Sequence, residues 1–334
     1  MYPAGKCGRE SDQPRYGPAT WAGRQPNGNK SMSVRLVGLV AATHTPFHGD
    51  GTLNLGAIEK QAGQLIGHGV LAAFVGGTTG ESSSLTLLER KALAQRWAEV
   101  TKGTPLGLIV HVGSNCLADA RELAAQAGQL GAMAISAVAP SYFKPGNLEL
   151  LIDCCAQIAS AAPETPYYHY DIPAMTGTHL SMPDFLEKAG GKVKTLAGIK
   201  FSNPDLMAYQ LCLRVAGGKY DMPFGCDEYI LGAMALGCVG GVGSTYNFAA
   251  PVYQRLIKAF GRGDLEAARA EQNRSAQLVR LLASHGYMAA AKATMGFLGV
   301  DVGGPRLPNG NLSADGKARL RGELEQLGFF DWVS

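Results

Sequence analysis

Leu36-Val-Gly-Leu-Val-Ala-Ala42 is an uncharged apolar run, the length of a buried strand and too short for a core helix. An amphipathic stretch follows it, and the same pair of features then repeats along the chain. Apolar runs rich in Val, Ile and Ala recur near residues 71 to 77, 107 to 113, 132 to 138, 166 to 171, 196 to 202, 222 to 227 and 238 to 244. Each precedes a segment that reads as a helix, which is the pattern of βα units around a parallel sheet. Most intervals are about 25 to 35 residues, the length of one such unit, and the last is shorter. Eight runs exceed the six or so strands of an open doubly wound sheet and predict a closed (β/α)8 TIM barrel over residues 32 to 250.

Beyond residue 244 the strand signal stops. Segments 247 to 262, 264 to 284, 286 to 299 and 313 to 327 carry apolar residues three and four apart and are predicted helices of a C-terminal helical domain, residues 251 to 334. Residues 1 to 31 scatter Gly and Pro among polar residues ahead of Met32, and read as a disordered tail or an over-extended start. They are left out of the predicted fold.

The composition narrows the function. With 334 residues, 46% hydrophobic and 17% charged, the chain has the profile of a soluble globular protein with a large core. Its 44 glycines, well above the usual share and without a Gly-X-Y period, imply many tight turns. Thirty basic against 27 acidic residues leave +3, too small and scattered a charge for a nucleic-acid groove or an anionic membrane surface. Small-molecule partners are expected. No run is long enough to span a membrane, and no signal peptide is visible. Seven cysteines, an odd number without a C-x-x-C pair, support neither a disulfide framework nor a zinc site and fit a reducing, cytoplasmic setting.

In a barrel the chemistry gathers at the C-terminal ends of the strands. The sixth run, Leu196-Ala-Gly-Ile-Lys-Phe-Ser202, places Lys200 in an apolar strand. Burial lowers an amine's pKa and makes it a nucleophile towards carbonyls, unless the lysine stands at the rim and snorkels into solvent. The fifth run closes Tyr167-Tyr-His-Tyr-Asp171, whose two-residue period sends Tyr168 and Tyr170 to one face and His169 to the other. An inward Tyr170 is either a proton shuttle or a core aromatic; His169 would face the helices. The second run ends Gly76-Gly-Thr-Thr-Gly-Glu81, where glycine N–H groups and the Thr78 and Thr79 hydroxyls form either a small anion nest or an ordinary turn. Thr86-Leu-Leu-Glu89 then reads as a capping box. Asp227 and Glu228, ending the seventh run, either bind hydroxyl groups or cap the following helix. The glycine-rich turn before Ser244 suits a phosphate, but no Lys or Arg adjoins it.

Taken together, Gly77-Thr-Thr-Gly-Glu81, Tyr170-Asp-Ile-Pro-Ala-Met-Thr-Gly177 and Gly198-Ile-Lys200 resemble, in order and spacing, the dihydrodipicolinate synthase and N-acetylneuraminate lyase family. The likeness runs from about Leu36 to Leu307. It implies a class I aldolase in which Lys200 forms a Schiff base with pyruvate, Tyr170 relays protons and Thr78 and Thr79 hold a carboxylate. It further implies no metal or organic cofactor and a homotetramer built as a dimer of dimers, with Tyr142 reaching a neighbouring site. Met175 stands where the synthases carry an arginine for a substrate carboxylate. Phe224-Gly-Cys-Asp-Glu228, Gly243-Ser-Thr-Tyr-Asn247 and Gly304-Pro-Arg-Leu-Pro308 look like the sialic-acid lyase branch. That likeness gives Ser202, Gly225, Asp227, Glu228 and Ser244 to the polyol tail of a sugar acid. Another pyruvate-dependent aldolase or synthase, or a non-catalytic sugar-acid-binding barrel, are the alternatives. The Asp after Tyr170 and Cys226 between Gly225 and Asp227 depart from the family pattern.

Overall fold

Strands form where the apolar runs alternate two sets of side chains, one for the barrel interior and one for the surrounding helices. In the computed structural model, which describes residues 35–334, seven parallel strands do this. They are β1 (Gly38–Ala42), β2 (Ala72–Val75), β3 (Gly107–His111), β4 (Ala134–Val138), β5 (Tyr167–Asp171), β6 (Leu196–Phe201) and β7 (Gly240–Gly243). Their order is β6-β5-β4-β3-β2-β1-β7, the sequential winding of a barrel. The expectation for residues 1 to 31 lies outside the described residues.

The seventh run, 222 to 227, corrects the expectation of eight full strands. Only Phe224 of that run pairs, bridging Phe201 on one side and Gly241 on the other, while Asp221 just before it bridges Gly198. Pro223 has no N–H to give a ladder, and Gly225 already begins the turn to the next helix. The barrel therefore closes through a near-strand.

Helices α1 (Ile58–Gly67), α2 (Leu87–Thr101), α3 (Leu117–Gln129) and α4 (Leu148–Ala159) follow the first four strands. After β5 come α5 (Pro173–Thr176) and α6 (Met182–Ala189), then α7 (Leu206–Cys212) and α8 (Ile230–Leu236). The predicted capping box is present: the Thr86 side chain accepts from Glu89 N–H and the Glu89 side chain accepts from Thr86 N–H. The C-terminal segments fold as expected into α9 (Tyr246–Gly261), α10 (Leu265–Ser284), α11 (Tyr287–Phe297) and α12 (Ala314–Leu327), with a short α13 (Phe329–Val333).

Two packed regions result. A large one fills the space between strands and helices, with Leu39, Ala41, Ala73, Val75, Ile199 and Phe201 from the strands. A smaller one fills the barrel itself, with Val40, Ala42, Phe74, Ile109, Tyr168 and Tyr170. The period of β5 is thus as predicted. His169 lies among the helices, against Phe185 with ring centroids 4.9 Å apart, and Tyr170 points inward.

Candidate active site

At the mouth of the barrel a cavity of about 300 Å³ opens, and Lys200 and Tyr170 stand at its floor. The parallel register of β5 and β6 pairs these two residues directly, which turns both side chains to the same interior face. Lys200 is buried, its Nζ 3.7 Å from the Tyr170 ring centroid and 3.8 Å from that of Phe74. Among the described residues no carboxylate stands within ion-pair distance of it. Burial pushes its pKa down, against partial support from Tyr170 and Asp227. An amine so placed resists protonation, which is the state a nucleophile needs.

The β2 turn supplies the next wall. Thr78 and Thr79 both line the cavity, and the Thr78 hydroxyl is 3.3 Å from the Tyr170 hydroxyl. The turn is held at several points. His111 Nδ1 donates to Gly76 O at 2.8 Å, Thr45 Oγ1 donates to Gly80 O at 2.6 Å, and Glu81 N–H donates to Thr78 O at 3.0 Å. The Nδ1–H tautomer of His111 follows from that carbonyl, and burial pushes its pKa well below the usual value.

The opposite wall joins the ends of three barrel segments. Ser202, Gly225, Asp227, Glu228 and Ser244 all line the cavity, so all the expected site residues except Tyr142 converge on one space. Gly225 is required there, because a Cβ would come within 1.9 Å of the Ser202 hydroxyl. The Asp227 carboxylate does not cap the helix that follows it. Its Oδ2 accepts from Thr245 N–H at 2.9 Å and from Thr245 Oγ1 at 2.5 Å, so it braces the turn that starts α9 and not its own helix. Burial raises its pKa to about 6, those hydrogen bonds notwithstanding. Tyr142 is 79% exposed on the loop after β4 and does not line the cavity.

Of the cavity-lining residues that escaped the sequence reading, three come from beyond the barrel. The C-terminal helices add Val279, Tyr287 and Met288 to the cavity wall, and the Tyr287 hydroxyl lies 2.6 Å from Ser244 Oγ. A tyrosine at the start of a helix 44 residues beyond the end of β7 carries no local mark of that placement. Among the described residues no three His, Cys, Asp or Glu side chains gather as a metal site.

The model of the dihydrodipicolinate synthetase family matches residues 35–327. The chain belongs to that family. Within it, N-acetylneuraminate lyase of Gallus gallus is 37% identical over 297 residues, covering 88% of this chain and 96% of that protein. The solved N-acetylneuraminate lyase of Proteus mirabilis is 41% identical, with a TM-score of 0.86 over 89% of this chain and all of that one. A dihydrodipicolinate synthase from Bacillus anthracis shares the fold at 26% identity, with a TM-score of 0.81 over 87% of this chain and 98% of that one. The family resemblance read from Gly77 to Glu81, Tyr170 to Gly177 and Gly198 to Lys200 is thereby borne out.

Proposed function

We propose that this chain is a carbon–carbon lyase that reversibly cleaves N-acetylneuraminate to pyruvate and N-acetylmannosamine through a Schiff base on Lys200. The observation that carries this reading is the Lys200 amine, buried at the cavity floor against two aromatic rings with, among the described residues, no carboxylate paired to it. The lyase names and higher identity of relatives such as the Proteus mirabilis protein support the substrate.

In the proposed reaction the neutral Lys200 amine adds to the C2 ketone of the open-chain sugar acid, and loss of water gives a protonated imine. Thr78 and Thr79 with nearby N–H groups hold the substrate carboxylate. The imine draws in the electrons of the C3–C4 bond as the C4 hydroxyl proton passes to the Tyr170 hydroxyl, which in the same relay hands its own proton to the substrate carboxylate. N-acetylmannosamine leaves; the enamine takes a proton at C3, and water releases pyruvate from Lys200. Ser202, Gly225, Asp227, Glu228 and Ser244 receive the hydroxyl-rich remainder, discriminating because a missing hydroxyl leaves a buried polar group unpaired. This chemistry draws on no metal or organic cofactor, and dialysis against a chelator is expected to leave turnover unchanged.

The same reading includes a homotetramer acting in the cytoplasm, with Tyr142 lent to a neighbouring subunit. Supporting it, Tyr142 and Phe143 stand exposed with ring centroids 5.0 Å apart, on the loop after β4. Tyr142→Phe is expected to lower activity and leave the assembly mass by light scattering unchanged.

Trapping with pyruvate and borohydride, followed by digestion and mass spectrometry, tests the central claim. An adduct on Lys200 together with N-acetylneuraminate cleavage is expected. An adduct without cleavage would move the substrate to another sugar acid, and no adduct would overturn the Schiff-base mechanism.

A further inference from the structure

A second buried lysine among the described residues lies outside the cavity. Lys292 is on α11, and its Nζ is 2.7 Å from Oε1 of Glu81, with both side chains wholly shielded from solvent. Lys292 also donates to Gly304 O at 3.0 Å and stands 4.3 Å above the Phe47 ring. The other Glu81 oxygen, Oε2, accepts from Arg306 N–H at 2.9 Å. Arg306 in turn binds the Glu89 carboxylate and the carbonyls of Gly51 and Ser84. Glu81 is therefore gripped by α11 and by the segment that follows it.

What Glu81 does with that grip is visible in its backbone. Its φ is +54°, a left-handed conformation that residues with a Cβ avoid. Its N–H closes the turn by donating to Thr78 O, and Ser82 N–H donates to Gly77 O. The two hydroxyls that face the cavity, Thr78 and Thr79, lie between these closures. Nothing in the turn's own sequence favours a left-handed glutamate; the buried side-chain contacts hold it there.

We infer that Glu81 and Lys292 are positioning residues for the carboxylate subsite: their ion pair fixes where the Thr78 and Thr79 hydroxyls stand, and so sets the affinity for keto acids. The inference rests on the Schiff-base reading above and extends it, because it makes a helix of the C-terminal part a determinant of the β2 turn. It does not act by field. A glutamate without its lysine would repel a substrate carboxylate and a lysine without its glutamate would attract one, so an electrostatic role predicts opposite effects for the two. A positioning role predicts the same effect for both.

The test is the concentration of pyruvate giving half-maximal borohydride trapping on Lys200, compared with the same quantity for hydroxyacetone, a ketone without the carboxylate. Glu81→Gln, Lys292→Met and the double variant are measured beside the unaltered protein. The double variant leaves no unpaired charge in the core and guards against a fold lost in the singles. The expected result is a rise of about tenfold for pyruvate in all three, with hydroxyacetone changed less than twofold. General loosening of the fold would lower the trappable fraction for both ketones without separating them, and would overturn the inference. So would opposite shifts in the two singles, or an unchanged value in the double variant, which decides alone if the singles do not fold. Absence of any adduct in the unaltered protein would instead bring down the Schiff-base reading itself.

Discussion

Lys200 and Lys292 are equally hidden, at 3% and 1% exposure, yet their surroundings differ in the one respect that decides chemistry. Lys292, at the seam between the β2 turn and α11, has a carboxylate at 2.7 Å and a carbonyl at 3.0 Å. Lys200, on the floor of the barrel mouth, has ring faces against it and, among the described residues, no carboxylate within ion-pair distance. Burial lowers both amines' pKa, and in Lys292 the adjoining Glu81 pulls back towards the charged form. A buried lysine with its counter-ion is a bolt. One without it is a reagent.

The largest effect that can break this comparison is on turnover. Lys200→Met is expected to remove the pyruvate adduct and to lower cleavage on the order of 10⁴-fold or more, while urea unfolding shows stability kept or raised, since an apolar side chain replaces a poorly solvated amine. A marked loss of stability would mean that Lys200 too is a bolt. Lys292→Met is the converse. Stranding the Glu81 carboxylate in the core is expected to cost about 3 to 5 kcal/mol in the same unfolding experiment, with a Lys200 adduct still formed at saturating pyruvate.

Tyr170→Phe sharpens the reading of Lys200's neighbour. The ring that packs on the amine is retained and the hydroxyl near Thr78 is lost, so imine formation is expected to survive while C3–C4 cleavage falls by about 10² to 10⁴. Single-turnover measurement separates the two steps. The smallest effect concerns pH. Asp227 has its pKa raised to about 6, so it is ionised above that pH and takes up a proton as the pH falls through it. The protonated form loses acceptor capacity for Thr245 and for substrate hydroxyls, and kcat/KM for the sugar acid is expected to drop below about pH 6. Asp227→Asn should remove that inflection, leaving the half-saturation of pyruvate trapping unchanged. Global stability runs the other way: burying ionised Asp227 and Asp171, both raised to about 6, costs stability above that pH, a cost relieved as the pH falls towards about 4.

The fold was largely legible because alternation and length are local properties. Seven of the eight apolar runs became strands, and the C-terminal helices fell within two residues of their predicted bounds. Residues 222 to 227 misled because apolarity alone does not report pairing; Pro223 and Gly225 carried the contrary signal. In the site, residues at strand ends were found because the barrel rule names their positions. Lys292 was missed although Tyr287-Met-Ala-Ala-Ala-Lys-Ala-Thr-Met-Gly-Phe297 sets a lone charge in an apolar helix, the same anomaly that drew attention to Lys200. Its partner lies 211 positions earlier in the chain, and no spacing rule links them. Asp227's grip on Thr245 was hidden for the same reason: it joins the ends of two different barrel segments.

The single-residue stitch at Phe224 divides the site into a firmly and a lightly held half. Lys200 belongs to a strand zipped to β5 over several consecutive pairs, whereas Gly225, Asp227 and Glu228 hang from a seam closed by isolated bridges. The part of the site proposed to meet the variable end of a sugar acid thus hangs where the sheet is most lightly sewn. On the proposed reading, substitutions along that hem are expected to alter which aldehyde is released, while the strand of Lys200 keeps its weave and the first step, capture of a keto acid, is left unchanged.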